Sequence, residues 1–242
     1  MDKDVLNPAE ELHEIVGTLR QCLINDREWG LEPPPLSPSA VEYLDKGSGS
    51  PGSLEGLREL IGDCRRCKLW RGRTHLVFGE GSPQARLIFV GEGPGEEEDL
   101  KGRPFVGKAG ELLTRIIVSG MRLKREEVYI CNVVKCRPPN NRDPEPDEIA
   151  ACFPFLKKQI SLIGPQVICA LGRVAAGGLL GREVKITRER GKWLSCMDIP
   201  LMLTYHPAFV LRTPAREREL KGHVWEDVQK IMKHLGLEVE KH

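Results

Sequence analysis

The chain has 242 residues, 36 Lys/Arg against 35 Asp/Glu, and a formal net charge of +1. That length suits one α/β domain plus an extension. No apolar run is long enough to span a bilayer, and Met1-Asp2-Lys3-Asp4 lacks the basic-then-apolar pattern of a signal peptide. A cytoplasmic protein is expected. The charge is uneven. Residues 1–50 carry ten Asp/Glu and four Lys/Arg, a net of −6, so residues 51–242 carry +7 (+1 minus −6). A mildly basic remainder permits a polyanionic partner without proving one.

Residues 8–25 read as an amphipathic helix, with Leu12, Ile15, Val16, Leu19 and Leu23 at helical spacing. Residues 29–53 are rich in Pro, Gly and Ser and read as a linker. Residues 1–53 thus form an extension, open to a repair or replication partner, and residues 54–242 the main domain. There a short helix over 54–62 leads into Cys64. A strand is predicted over 86–92, an amphipathic helix over 110–119 and a second strand over 128–135. A helix over Pro146–Ile163, strands over 167–172 and 201–205, and a helix over 224–235 follow. Strands alternating with helices argue for a parallel sheet covered on both faces, a three-layer α/β/α sandwich with four central parallel strands.

The apolar run Leu87-Ile88-Phe89-Val90 ends in Gly91-Glu92-Gly93-Pro94-Gly95-Glu96-Glu97-Glu98-Asp99. A buried strand running into a glycine-rich turn is where open α/β sheets place ligands. Glycines let backbone N–H groups come close to a ligand. The four acids would repel a nucleotide's phosphates, so a free nucleotide is a poor fit. Other unusual residues also follow strands, at 135–142, 172–173 and 206–212. In an open parallel sheet those ends converge on one crevice.

Eight cysteines in a cytoplasmic chain are not a disulfide framework. Cys131 and Cys169 lie in apolar runs and read as core thiols. Cys64-Arg65-Arg66-Cys67 is a C-x-x-C pair, and Cys136 and Cys152 complete a possible set of four. Four thiolates hold zinc or an iron–sulfur cluster. The wide split of the second pair leans towards a [4Fe–4S] cubane, with unligated thiols as the bland alternative. The segment around the first pair is strongly basic: a solvated face, or a phosphate-contacting ridge fixed by the cluster.

Taken together, these features resemble the family 4 uracil-DNA glycosylases, the iron–sulfur branch of that superfamily. The resemblance runs from about Leu54 to Leu235. It includes Gly91–Gly95, Gly102-Arg103-Pro104-Phe105-Val106-Gly107, Asn132 with Lys135-Cys136-Arg137-Pro138-Pro139, Ala170-Leu171-Gly172, and His206-Pro207-Ala208 with Leu211-Arg212. It implies a DNA-repair hydrolase that flips uracil from single- or double-stranded DNA and leaves an abasic site. It implies a cluster on Cys64, Cys67, Cys136 and Cys152, no membrane partner and a monomer. Alternatives are a relative acting on hypoxanthine or other deaminated bases, and a non-catalytic, cluster-bearing damage-binding module.

The resemblance also implies site roles. Phe105 stacks the flipped base, and Asn132 reads its O4 and N3–H edge, since an amide offers both donor and acceptor. Gly93 and Gly95 approach the base with their backbones. His206 faces O2 and stabilises the leaving anion. Glu92 is the leading group for the attacking water, with Glu98 as the other choice. In family 1 enzymes an acid at the next position does this, and Gly93 stands there here. Glu96, Glu97 and Asp99 read as solvated or helix-capping charges. Leu211 or Arg212 fills the space left by the flipped nucleotide. Arg73, Arg137, Lys108 and Arg173 are phosphate-contact candidates. Phe105→Ala or His206→Ala is expected to lower activity much more than stability.

Overall fold

The computed structural model describes residues 51–239. The predicted helix over 8–25, Cys22 and most of the linker lie outside the described residues. Among the described residues there are six strands: β1 (Glu80–Gly81), β2 (Leu87–Gly91), β3 (Tyr129–Asn132), β4 (Val167–Leu171), β5 (Trp193–Cys196) and β6 (Ile199–Thr204). Their order in the sheet is β1-β3-β2-β4-β6-β5. The inner four are parallel, as expected. Antiparallel β1 and β5 extend the sheet at its edges. Neither edge carried a sequence signal. β1 has two residues, and β5 joins β6 through Met197 and Asp198, both left-handed at φ 54° and 61° without a glycine.

The helices are α1 (Leu54–Ile61), α2 (Glu96–Lys101), α3 (Lys108–Arg115), α4 (Pro146–Ile163), α5 (Gly172–Leu180), α6 (Ile186–Glu189), α7 (Pro207–Leu211) and α8 (Glu217–His234). The strands β2, β3 and β4 are buried along their whole length, so both faces are covered. Alternate side chains feed two cores. Ile88, Val90, Ile168 and Ala170 pack with Leu57, Leu156, Ile160 and Ala175 of α1, α4 and α5. Leu87, Phe89, Ile130 and Val167 pack with Leu113, Val210, Val228 and Ile231 of α3, α7 and α8. Cys131 and Cys169 are buried core thiols.

Two helices and one acidic side chain depart from the sequence reading. Residues 206–212 read as a loop, yet Pro207–Leu211 is helical, capped by His206. Residues 172–180 carry three glycines and still form α5, whose Ala175 and Ala176 are buried against the sheet and whose Gly178 lets Val133 approach, a Cβ there meeting its Cγ1 at 3.1 Å. Asp99 is not a solvated charge. It is 2% exposed, and its carboxylate accepts from the Thr74 and His75 amides. Glu96 and Glu97 do lie in the first turn of α2, where negative charge suits the helix dipole.

Parallel register aligns the strand ends. Gly91 pairs with Asn132, and Leu171 with Thr204. Glu92, Gly172 and His206 therefore emerge along one edge. The β6 end is pinned by a buried network. Asp227 accepts from Thr204 Oγ1 at 2.7 Å and from Arg190 Nε at 2.9 Å and Nη2 at 2.6 Å. Burial raises the Asp227 carboxyl pKa, and Arg190 opposes that shift. Asp227→Ala would strand the Arg190 guanidinium inside the protein. A loss of about 3–5 kcal/mol is expected in urea denaturation. A loss below about 1 kcal/mol would show that solvent already compensates the arginine.

Candidate active site

The strand ends open into a cleft of about 480 Å³. Glu92, Gly93, Gly95, Phe105, Asn132, His206 and Arg212 all line it. These residues come from four separate stretches of chain, and only the sheet brings them together.

Asn132 closes β3 and is 1% exposed. Its Oδ1 is buried without a hydrogen-bond partner. Buried amide oxygens are rarely left unmatched, so this one is an acceptor held ready for a ligand. Phe105 sits beside it at φ 51°, a left-handed conformation costly for a bulky side chain. The surroundings enforce it. Arg125 Nη2 donates to the Pro104 and Phe105 carbonyls at 2.7 and 3.1 Å. A Cβ on Gly91 would lie 2.4 Å from Asn132 Oδ1 and 2.6 Å from Phe105 Cζ, so glycine there lets both side chains reach the cleft. The Phe105 ring is 6% exposed and belongs to the core beside α3. Phe105→Ala therefore also costs stability, about 3–5 kcal/mol, contrary to the expectation from sequence.

His206 ends the strand β6 region and caps α7. Its Nδ1 accepts from the Ala208 amide at 3.1 Å. With Nδ1 an acceptor, the proton of the neutral ring lies on Nε2. One edge of the ring opens on the cleft, yet the surrounding protein strips most water from it. That burial, reinforced by Arg212, holds the imidazole pKa down to about 4. Its ring centroid is 5.7 Å from that of Phe105. Gly172 has φ 89°, and a Cβ there would sit 2.9 Å from the His206 Cβ. The site thus presents a neutral N–H donor beside an aromatic face.

Glu92 is pushed up to about 7, chiefly by burial and then by the neighbouring Asp143 carboxylate, against Arg173 and Arg212. Arg173 in turn ion-pairs with Asp143. Glu98 has a different task. Its Oε2 accepts from the Gly95 amide at 3.1 Å, and Oε1 from the Val106 and Gly107 amides at 2.9 and 3.0 Å. That carboxylate clamps the glycine turn to the Phe105 loop. The same bond occupies the Gly95 N–H, so Gly95 lines the cleft without a free amide to offer.

Several expected DNA contacts change. Leu211 is half-buried, packs on the core, and is not among the residues lining the cleft. Phe209, on the same helix, is 39% exposed and lines the mouth. Sequence reasoning passed over it, because an aromatic next to valine and leucine reads as core. Arg212 lies at the mouth as expected. Arg137 braces Asn141, donating to its Oδ1 at 2.8 Å. Arg73 turns inward, its side chain only 7% exposed. It donates to the Cys64 carbonyl at 2.6 Å, Cys136 Sγ at 3.1 Å and Asp63 at 2.6 Å, which leaves no face for phosphate. Lys68 pairs with Glu145 and Asp147 at the surface, its side chain 44% exposed. Of the basic segment, Arg73 is the one drawn into the protein.

Cys64, Cys67, Cys136 and Cys152 line one small cavity, walled by Ile61, Leu69, Val134 and Phe155. Burial pushes the Cys152 thiol up to about 11 and raises Cys136 and Cys67 too. Arg73 beside Cys136 and Lys135 near Cys152 oppose this. Among the described residues no group of His, Cys, Asp or Glu is arranged to hold a single metal ion. Four thiols facing one cavity with cations behind them fit a larger, thiolate-bound cluster better than one ion.

The uracil DNA glycosylase superfamily model matches residues 78–229. A type-4 uracil-DNA glycosylase from Thermotoga maritima is 50% identical over 182 residues, covering 73% of this chain and 92% of that protein. One from Sulfurisphaera tokodaii is 48% identical over 187 residues, 74% of this chain and 83% of the relative. One from Saccharolobus solfataricus is 44% identical over 192 residues, 76% and 87%. The family match contains every cleft residue from Glu92 to Arg212. With relatives this similar over most of its length, the chain belongs to the uracil DNA glycosylase superfamily, on its type-4 branch.

Proposed function

We propose that residues 54–242 form a monofunctional uracil-DNA glycosylase of base-excision repair. It flips uracil out of DNA and hydrolyses the N-glycosidic bond, leaving an abasic site. The observation that carries this reading is the buried, unpartnered amide oxygen of Asn132, in a cleft that Phe105 and His206 also line. Uracil stacks on Phe105. Its N3–H donates to Asn132 Oδ1, and its O4 accepts from Asn132 Nδ2. Cytosine offers a donor at the O4 position and an acceptor at N3, so both contacts fail.

As the N1–C1′ bond breaks, its electron pair goes to the base and charge builds on O2. His206 Nε2–H donates to that oxygen. A neutral donor fixed in place before the reaction stabilises the transition state more than the ground state. Water attacks C1′ from the Glu92 side, and the Glu92 carboxylate takes its proton. At the mouth, Phe209 wedges into the stack in place of the flipped base, and Arg212 and Arg173 meet phosphates. Cys64, Cys67, Cys136 and Cys152, which line one cavity, would hold a [4Fe–4S] cluster, whose role there would be to crosslink the segment after α1, the loop after β3 and α4. Each cleft residue comes from this one chain, which supports action as a monomer. We place it in the cytoplasm, with residues 1–53 available to a repair or replication partner.

Purified, iron-loaded protein is expected to release uracil from single- and double-stranded oligonucleotides. Release of hypoxanthine but not uracil would replace this reading with the deaminated-purine alternative. Binding without any base release would leave only a damage-binding module. The pH profile is a second test. Glu92 must be ionised to take a proton, and its raised pKa of about 7 in the free protein puts the acid limb of kcat/KM there, with activity rising as pH rises. His206 stays neutral from about 4 upward and adds no limb in that range. Glu92→Gln should abolish the limb along with most of the activity. An unchanged limb in that variant would remove Glu92 from the mechanism.

A further inference from the structure

Each buried carboxylate is matched. Glu148 is paired with Arg142 at 2.6 Å, Asp227 with Arg190 at 2.6 Å, and Asp99 with backbone amides. Lys135 is the exception among the described residues. It is 2% exposed and takes part in no ion pair. Its Nζ donates to the Asn132 carbonyl at 2.8 Å and to Gln159 Oε1 at 2.6 Å, both neutral acceptors. Burying a charge with only neutral partners is strongly unfavourable. Lys135 also lines the cavity that Cys64, Cys67, Cys136 and Cys152 enclose. Four thiolates outweigh the positive charge of the cubane they bind, so a loaded site is net negative. The missing counter-charge therefore comes with the cluster.

We propose that Lys135 is a positioning residue that links the cluster to the uracil reader. Its ammonium balances the thiolate-bound cluster on one side. On the other, its hydrogen bond to the Asn132 carbonyl holds the end of β3, from which the amide enters the cleft. The inference rests on the reading that the four cysteines hold the cluster. Gln159 completes the brace: its Nε2 donates to the Phe78 carbonyl at 2.9 Å and to Tyr129 Oη at 3.0 Å. A disturbance at the cluster thus reaches the base pocket through one side chain.

The test uses the full, iron-loaded chain and its Lys135→Gln, Lys135→Met and Lys135→Arg variants. Iron per chain, the rate of iron release to a chelator, and kcat and KM for uracil release are measured. Both neutral variants should release iron about tenfold faster or more, as losses behind a metal site typically do. Lys135→Met fills the same volume without polar atoms and covers the case in which the glutamine variant does not fold. In variant protein that still holds iron, kcat should fall more than KM rises, because Asn132 shifts. Lys135→Arg, which keeps the charge, should restore iron retention. Neutral variants that keep iron at the wild-type rate would overturn the proposal. A wild-type chain that binds no iron would instead overturn the cluster reading beneath it.

Discussion

Replacing His206 by alanine is expected to lower kcat for uracil release by about 10²–10³-fold, with little change in KM. The reason is the timing of the interaction. Uracil O2 carries little charge in the bound substrate and far more as the glycosidic bond breaks. A donor worth most at that moment acts on kcat. The ring is already oriented, since the Ala208 amide occupies Nδ1 and leaves the proton on Nε2. Its pKa of about 4 keeps it neutral throughout the working range. The variant also loses a helix cap, which costs about 1 kcal/mol. The barrier increase, about 2.7–4 kcal/mol, exceeds that, so thermal melting should move little while activity collapses. Equal losses in stability and activity would mean that His206 merely shapes the turn into α7.

Asn132→Leu is expected to show a sharper split. Leucine has about the same volume but can neither donate nor accept. A site built around hydrogen bonds to its substrate loses about 10⁴-fold or more when those bonds are gone. Stability should move the other way, or not at all. Asn132 Oδ1 has no partner within the protein, and a buried unmatched acceptor costs about 1–3 kcal/mol. Removing it relieves that cost. Oligonucleotide cleavage assays set beside thermal melts of one preparation give both numbers. A variant that loses stability and activity together would show that the amide serves the fold.

Both predictions concern residues whose identity was legible but whose state was not. Asn132 and His206 follow apolar strands, and the family resemblance marks each. Nothing in the linear chain says that the amide oxygen is orphaned or which imidazole nitrogen carries the proton. Those follow from burial by distant elements and from a backbone amide two residues away. Glu98 makes the same point. As a sequence it is one acid among four. In space three backbone amides claim its carboxylate, and that settles its task as a clamp. Arg73 reads as a phosphate contact, and Phe209 carries no functional signal in the sequence. The tertiary packing turns the first inward and exposes the second at the cleft, because a side chain's outlet depends on what its neighbours already fill.

By itself the sequence determined the four parallel strands, the helix Pro146–Ile163 and the four candidate cysteines, while the family resemblance marked the expected cleft residues. Period and composition act locally, and buried strands and capped helices write the elements plainly. Only the tertiary structure decided the edge strands, the helical form of Pro207–Leu211, the inward turn of Arg73 and the convergence of Lys135 with the cysteine cavity. These depend on register and on competition for hydrogen bonds and charge between segments far apart in the chain. Desolvation at their meeting point sets the pKa values of Glu92 and His206, and no local pattern encodes it.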